Sequence, residues 1–222
     1  MKRVLMLASV ASMIDQFNMP NIALLQKLGY QVDVACNFIE GNTCSDARVA
    51  ELKQKLQDMH VHCYQIDFAR NIKHMGQNMR ALRQVEGLMK QNGYAFCHCH
   101  SPIGGVVARI AGHRTKMKVI YTAHGFHFYQ GAPLVNWLVY YPVEKVLSRW
   151  TDVLITINHE DYRRAEKFRY KKQGKAELIP GVGVDLQLFT PMGNNQGDNE
   201  KRDILRRAWG IPEHAFHIVS AG

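Results

Sequence analysis

Short apolar runs rich in Val, Ile and Leu recur along this chain, each followed by a longer stretch with apolar residues at helical spacing, and that alternation leaves few folds open. Residues 2–9, 31–36, 61–66, 95–100, 118–122 and 152–157 read as strands, and residues 17–28, 46–58, 75–90, 103–112, 134–150 and 160–169 as helices. Consecutive strands separated by a helix lie parallel, joined by right-handed crossovers. Helices then cover both faces of the sheet. The expected fold is a Rossmann-like, doubly wound α/β domain around a mostly parallel sheet. Local signals agree with it: Gly29 stands at a helix C-cap, Ser45 at an N-cap, and Pro102 opens a helix of small residues.

The 222 residues are enough to bury a sizeable core. Apolar runs such as residues 4–10 are too short to span a bilayer, and Met1-Lys2-Arg3 leads straight into a strand without a cleavage site, so neither a membrane span nor export is expected. Five cysteines, an odd number, then point to reduced thiols in a cytoplasmic protein. Cys97 and Cys99 alternate with His98 and His100, but a strand sends the two pairs to opposite faces, so four ligands do not converge and no metal is expected. The formal charge of +9 favours an anionic partner. Its clusters, at residues 163–172 and 206–207, accompany no nucleic-acid motif; they read as a solvated surface or as a patch facing an anionic membrane.

Function is concentrated where the strand at 118–122 stops at Ala-His124-Gly125-Phe126-His127-Phe-Tyr129-Gln-Gly131. In an open parallel sheet, ligands sit beyond the carboxyl ends of the strands, so polar groups just after a buried strand face the cleft. The residues alone leave His124 as either a ligand-facing group or a core histidine with a backbone partner. Asn158, after another strand, either faces a ligand or caps the next helix. Residues 9–15 read as a loop in which Ser9 and Ser12 offer hydroxyls. The absence of Gly-x-Gly-x-x-Gly there argues against a dinucleotide oxidoreductase. Asp185 reads as a turn residue.

Four segments in order, His98-Cys-His100-Ser-Pro102-Ile-Gly-Gly105, residues 121–133, residues 151–162 and Ile179-Pro-Gly181-Val-Gly-Val-Asp185, together with the N-terminal strand, resemble the N-terminal, acceptor-side half of family 4 glycosyltransferases. That family is retaining, with the two-domain GT-B fold; the bacterial capsular, exopolysaccharide and O-antigen subgroup is the most similar. The resemblance implies that His124 is catalytic, beside the donor sugar. It implies that the Gly125-Phe126 backbone fits around the reacting groups, and that Ser9, Ser12, His127 and Asn158 contribute to substrate binding. It implies no cofactor and no metal, a nucleotide-sugar as co-substrate, a lipid-linked or glycan acceptor, and a place on the inner face of the bacterial cytoplasmic membrane. The paired glycines many members carry after the first strand are missing here. Residues 1–190 are therefore expected to form the N-terminal domain. The polar, Gly-rich segment after 190 and the apolar residues 216–220 are expected to be a linker and the first strand of a nucleotide-sugar-binding domain. The family's paired-glutamate motif and basic pair belong to that second domain, so the chain alone is expected to be inactive. Rival readings are a stand-alone glycan- or partner-binding module or a truncated gene remnant without catalysis, and a hydrolase or epimerase using His124 as acid or base.

Overall fold

Val4, Met6 and Ala8 pack into one core and Leu5 and Leu7 into another, all fully buried, so the first strand has to be covered on both sides. The computed structural model describes residues 1–69, 74–183, 186, 196–212, 214–216 and 218. Seven parallel strands form one sheet: β1 (Lys2–Val10), β2 (Tyr30–Asn37), β3 (His62–Gln65), β4 (Phe96–His100), β5 (Val119–Ala123), β6 (Val153–Thr156) and β7 (Lys175–Leu178). The helices are α1 (Ala11–Phe17), α2 (Met19–Lys27), α3 (Asp46–Asp58), α4 (Met75–Asn92), α5 (Pro102–Thr115), α6 (Leu134–Leu147), α7 (His159–Ala165) and α8 (Gln196–Ala208). Helices α1 to α3 supply Ile14, Ile22, Val49, Leu52 and Leu56 to one core; α4 and α5 supply Leu82, Val85, Val107 and Ala111 to the other. The chain divides into two compact units, Met1–Val182 and Gly183–Gly222.

The strand order is β3-β2-β1-β4-β5-β6-β7. The chain winds outward from β1 in one direction, then returns to its other side at β4. The carboxyl ends of β1 and β4 therefore flank the topological switch point, where a crevice opens in doubly wound sheets. Close packing fixes that edge. A Cβ on Gly104 would lie 2.9 Å from Ser101 Oγ and 3.2 Å from Ser9 N, and one on Gly105 would lie 2.5 Å from the Tyr121 ring. Gly105→Ala is expected to destabilise the domain by about 1–3 kcal/mol through overpacking, measurable by urea unfolding.

Several sequence-based expectations need correction. Residues 9–15 are not a loop: β1 runs to Val10 and α1 starts at Ala11, because no glycine breaks the chain and Ala11 and Ile14 bury against the sheet. The helix expected at 134–150 ends at Leu147 and tightens into a 3-10 turn, Ser148–Trp150, while α7 stops at Ala165 rather than at 169. Strand β7 escaped notice because Lys-Ala-Glu-Leu is short and charged, as suits a sheet edge. Helix α8 begins at Gln196, inside the stretch read as linker, with Asp198 in its first turn against the helix dipole. Asp185 and most of the strand expected at 216–220 lie outside the described residues.

Candidate active site

Parallel register builds the candidate site. His98 pairs with Ile120 and His100 with Thr122 across β4 and β5, so His98, His100, Thr122 and His124 share one face of the sheet. Cys97 and Cys99 point into the opposite core, and both are fully buried. The histidines touch in sequence: His98 Nε2 lies 2.9 Å from Thr122 Oγ1, and His100 Nδ1 lies 3.1 Å from His124 Nε2. Ring centroids are 4.3 Å apart for His98 and His100 and 5.4 Å for His100 and His124, and Phe17 of α1 packs 5.2 Å from His124. His100 is buried, and its Nε2 has no hydrogen-bond partner among the described residues. His124 is only half-buried, at the outer end of the row.

Burial sets the protonation of this row. It lowers the pKa of His98 to about 4, with repulsion from His124 adding to it. Burial also holds His100 well below the ordinary histidine value, with repulsion from His98 and His124, and burial alone lowers His124. All three rings are neutral at pH 7. A histidine with a depressed folded-state pKa binds more protons when unfolded, so its stabilising effect is complete above pH 6.5 and is lost as pH falls toward about 4. Acid titration of stability in that window should be shallower for His98→Gln by up to about 1.4 kcal/mol per pH unit. An unchanged slope would mean that His98 is not buried neutral.

Backbone geometry holds the edge in place. Ser101 has φ 66° and ψ 152°, a region almost restricted to glycine, at a cost on the order of 1–3 kcal/mol. Its Oγ accepts from Ser9 N at 3.1 Å and its carbonyl from Gly105 N at 2.8 Å, tying β1, β4 and α5 together at the switch point. Gly125 has φ +140°, and a Cβ built there meets no atom of the described residues within 4 Å, so conformation rather than packing against those residues demands the glycine. Next, Phe126 N donates to Asp161 Oδ2 at 2.9 Å, and the Phe126 ring stacks on Phe128 at 4.6 Å.

The expected site residues do not form one constellation. Ser9 and His124 lie on the switch-point edge with His100 and Ser101. Ser12 is buried: its N–H donates to Asn42 Oδ1 and its Oγ accepts from Thr43 N, which anchors the loop after β2. His127 is exposed and stacks at 4.5 Å on Tyr140 of α6, whereas His124 packs on Phe17 of α1. Asn158 caps α7; its Oδ1 accepts from Asp161 N and its Nδ2 donates to Asp161 Oδ2. Sequence reasoning gave no role to Asp161, Ser101 or Thr122. Asp161 is 2 % exposed and bonds 35 residues back to Phe126, a relation only the fold reveals. Among the described residues, no group of three or more His, Cys, Asp or Glu is arranged to hold a metal ion.

Residues 19–181 match the family model described as a glycosyl transferase 4-like domain. The chain belongs to the glycosyl transferase 4-like family. It is 38% identical over 221 residues to EpsD of Bacillus subtilis (strain 168), which bears the name of a glycosyltransferase; the match covers 98% of this chain and 52% of EpsD. It is 24% identical over 159 residues to an uncharacterised 41.2 kDa protein in the cps region of Klebsiella pneumoniae, covering 67% of this chain and 44% of that protein. Among solved structures, Anabaena Alr3699/HepE in complex with UDP-glucose shares the fold with a TM-score of 0.57 at 16% identity, covering 95% of this chain and 50% of HepE. The glycosyl transferase 4-like chain thus spans about half the length of the relatives it matches. Its doubly wound sheet is that of one half of a GT-B glycosyltransferase.

Proposed function

We propose that this chain is the acceptor-side lobe of a retaining hexosyltransferase that moves a sugar from a nucleotide-sugar to a lipid-linked or glycan acceptor in capsule, exopolysaccharide or O-antigen synthesis. The observation that carries this reading is the half-buried His124 imidazole, bonded to His100 at the switch-point edge beside the backbone of Gly125, where burial lowers its pKa and favours the neutral ring. When the sugar leaves its diphosphate, positive charge gathers on the anomeric carbon. A neutral ring at that place donates or accepts a hydrogen bond to a sugar hydroxyl without repelling the developing cation. The departing diphosphate needs positive or dipolar partners, and these are assigned to a second lobe. HepE bound to UDP-glucose supports a nucleotide-sugar as donor, and the cps-region relative supports a role in surface polysaccharide. The 222-residue chain alone should then consume no nucleotide-sugar, whereas the same chain joined to a nucleotide-binding lobe should. Turnover by the isolated chain, followed by release of nucleoside diphosphate, would overturn this division of labour.

The acceptor reading extends to an anionic membrane at the inner face of the cell. Helix α6 carries Leu134, Val135, Leu138, Val139, Val143 and Val146 on its outside, with Leu134 73% and Leu138 69% exposed. Its one acid, Glu144, is buried, so the charge left on its outside is Lys145, joined by the exposed Arg149 of the 3-10 turn that follows. An apolar cavity of about 310 Å³ between α4, α5 and α6 continues this face. Trp137 turns inward instead, under the Arg164 guanidinium at 5.1 Å. No helix among the described residues is long and apolar enough to cross a membrane, so the contact proposed is peripheral. Vesicles containing anionic lipid should retain the chain, and Leu138→Glu with Val139→Glu should release it. Equal retention by neutral vesicles at high salt would argue against this surface.

A further inference from the structure

We propose that His100 is a positioning residue: its Nδ1–H donates to His124 Nε2, which fixes the remaining proton of His124 on Nδ1, the nitrogen left to meet the ligand. The inference rests on the glycosyltransferase reading only for the identity of that ligand, a sugar hydroxyl or phosphate oxygen that accepts a hydrogen bond.

The 3.1 Å contact admits two arrangements of protons, since one nitrogen of a neutral imidazole is protonated and the other bare. If His124 Nε2–H were the donor, His100 would carry its own proton on Nε2. That nitrogen is buried and has no partner among the described residues, so a donor would be stranded without an acceptor. Buried orphan N–H groups are rare, and leaving one costs about 1–3 kcal/mol. In the opposite arrangement, His100 Nδ1–H donates and its buried Nε2 is a bare ring nitrogen, which strands no proton. His124 Nε2 is then an acceptor and its proton sits on Nδ1. Nδ1 of His124 has no hydrogen-bond partner among the described residues and is not among the atoms sealed from solvent, so it is free to donate outward.

The same arrangement opposes charging of His124. An imidazolium there would need an acceptor on His100 Nδ1, which again moves the His100 proton to the sealed Nε2. His98 does not relieve this, because its Nε2 is engaged with Thr122 Oγ1. The row thus presents one outward N–H on an uncharged ring. Without His100, the His124 ring has no neighbour in the row to choose its tautomer, and Phe17 supplies none because it offers only an aromatic face.

Long-range 1H–15N spectra of the 222-residue chain with 15N-labelled histidine test this directly, with His124→Gln identifying the resonances. The expected result is a protonated Nδ1 and bare Nε2 on His124, a protonated Nδ1 on His100, and a coupling across the hydrogen bond between His100 Nδ1 and His124 Nε2. In His100→Phe, the His124 proton should move to Nε2 or divide between the two nitrogens. In His100→Asn, whose amide N–H lies near the place of the lost Nδ1–H, it should return to Nδ1. A protonated Nε2 on His124 in the unsubstituted chain, or a His124 tautomer unmoved by His100→Phe, would overturn the proposal even if the two-lobed enzyme transfers sugar. The expected tautomer in an enzyme that does not turn over nucleotide-sugar would uphold the positioning and overturn the functional reading instead.

Discussion

Replacing His124 with alanine in a two-lobed enzyme built on this domain is expected to lower kcat about 10²–10³-fold, the loss typical of one preorganised donor aimed at the reacting centre. The ring is half-buried at the edge of the sheet, bonded to His100 and packed on Phe17. Its removal should therefore cost only about 1–2 kcal/mol of folding stability, mainly through the lost hydrogen bond. The contrast between a large kinetic loss and a small stability loss separates a ligand-facing histidine from a core one. His127→Ala gives the internal comparison. That ring stacks on Tyr140 of α6 and takes no part in the histidine row, so its replacement should change acceptor KM rather than kcat. Steady-state kinetics with saturating donor would show the difference. Equal losses for the two variants would remove His124 from its assigned place.

Glu144→Ala is expected to be the most destabilising single substitution outside the hydrophobic core, at about 3–5 kcal/mol. Glu144 of α6 receives Arg109 Nη1 at 2.6 Å and Nη2 at 3.1 Å, a bidentate pair in which the arginine side chain is 0% and the glutamate side chain 9% exposed. A third donor, Arg109 Nε–H, goes to Gly105 O at 2.9 Å, and the guanidinium lies 4.2 Å from the Tyr121 ring centre. Removing the carboxylate alone leaves a desolvated cation between α5 and the sheet. A fall in Tm on the order of 10 °C follows for a domain of this size. The double replacement Arg109→Met with Glu144→Leu should recover most of that loss, because the pair's attraction is largely offset by its desolvation. Since Gly105 lies within the segment that opens α5 beside Ser101, Glu144→Ala should also loosen the switch-point edge. Thermal unfolding of the unsubstituted domain and the two variants distinguishes a buried ion pair from a surface one, for which all three would melt within a few degrees of each other.

Most of the fold was legible because periodicity is a local property. The apolar runs marked six of the seven strands, and caps such as Ser45, whose Oγ accepts from Arg48 N, marked helix starts to the residue. What escaped depends on relations between distant residues. Strand β7 holds its place at the sheet edge through pairing with β6, not through its own Lys-Ala-Glu-Leu sequence. The end of β1 reads as a loop by analogy with glycine-bearing relatives, but burial of Ala11 and Ile14 makes it helical.

The site divides in the same way. His124 and Gly125 stood out because a polar pair follows a buried strand. The part played by His100 needed the β4–β5 register, which sets it against Thr122 and one step from His124. Asp161 needed the approach of α7 to the loop after β5, where one carboxylate holds both Phe126 N and Asn158 Nδ2. Neither relation is written in any short window of sequence. Asn158 shows the opposite case, a residue whose local pattern already contained its capping role.

The place of His124 beside the donor is tested most directly by a crystal structure of a two-lobed enzyme carrying this domain, soaked with an unreactive nucleotide-sugar. The sugar ring should lie against the carboxyl ends of β4 and β5, with His124 Nδ1 about 3 Å from a sugar or phosphate oxygen and Gly125 in van der Waals contact. A donor seated on another face of the sheet, with the His124 ring still turned toward Phe17 and no ligand atom near it, would contradict it.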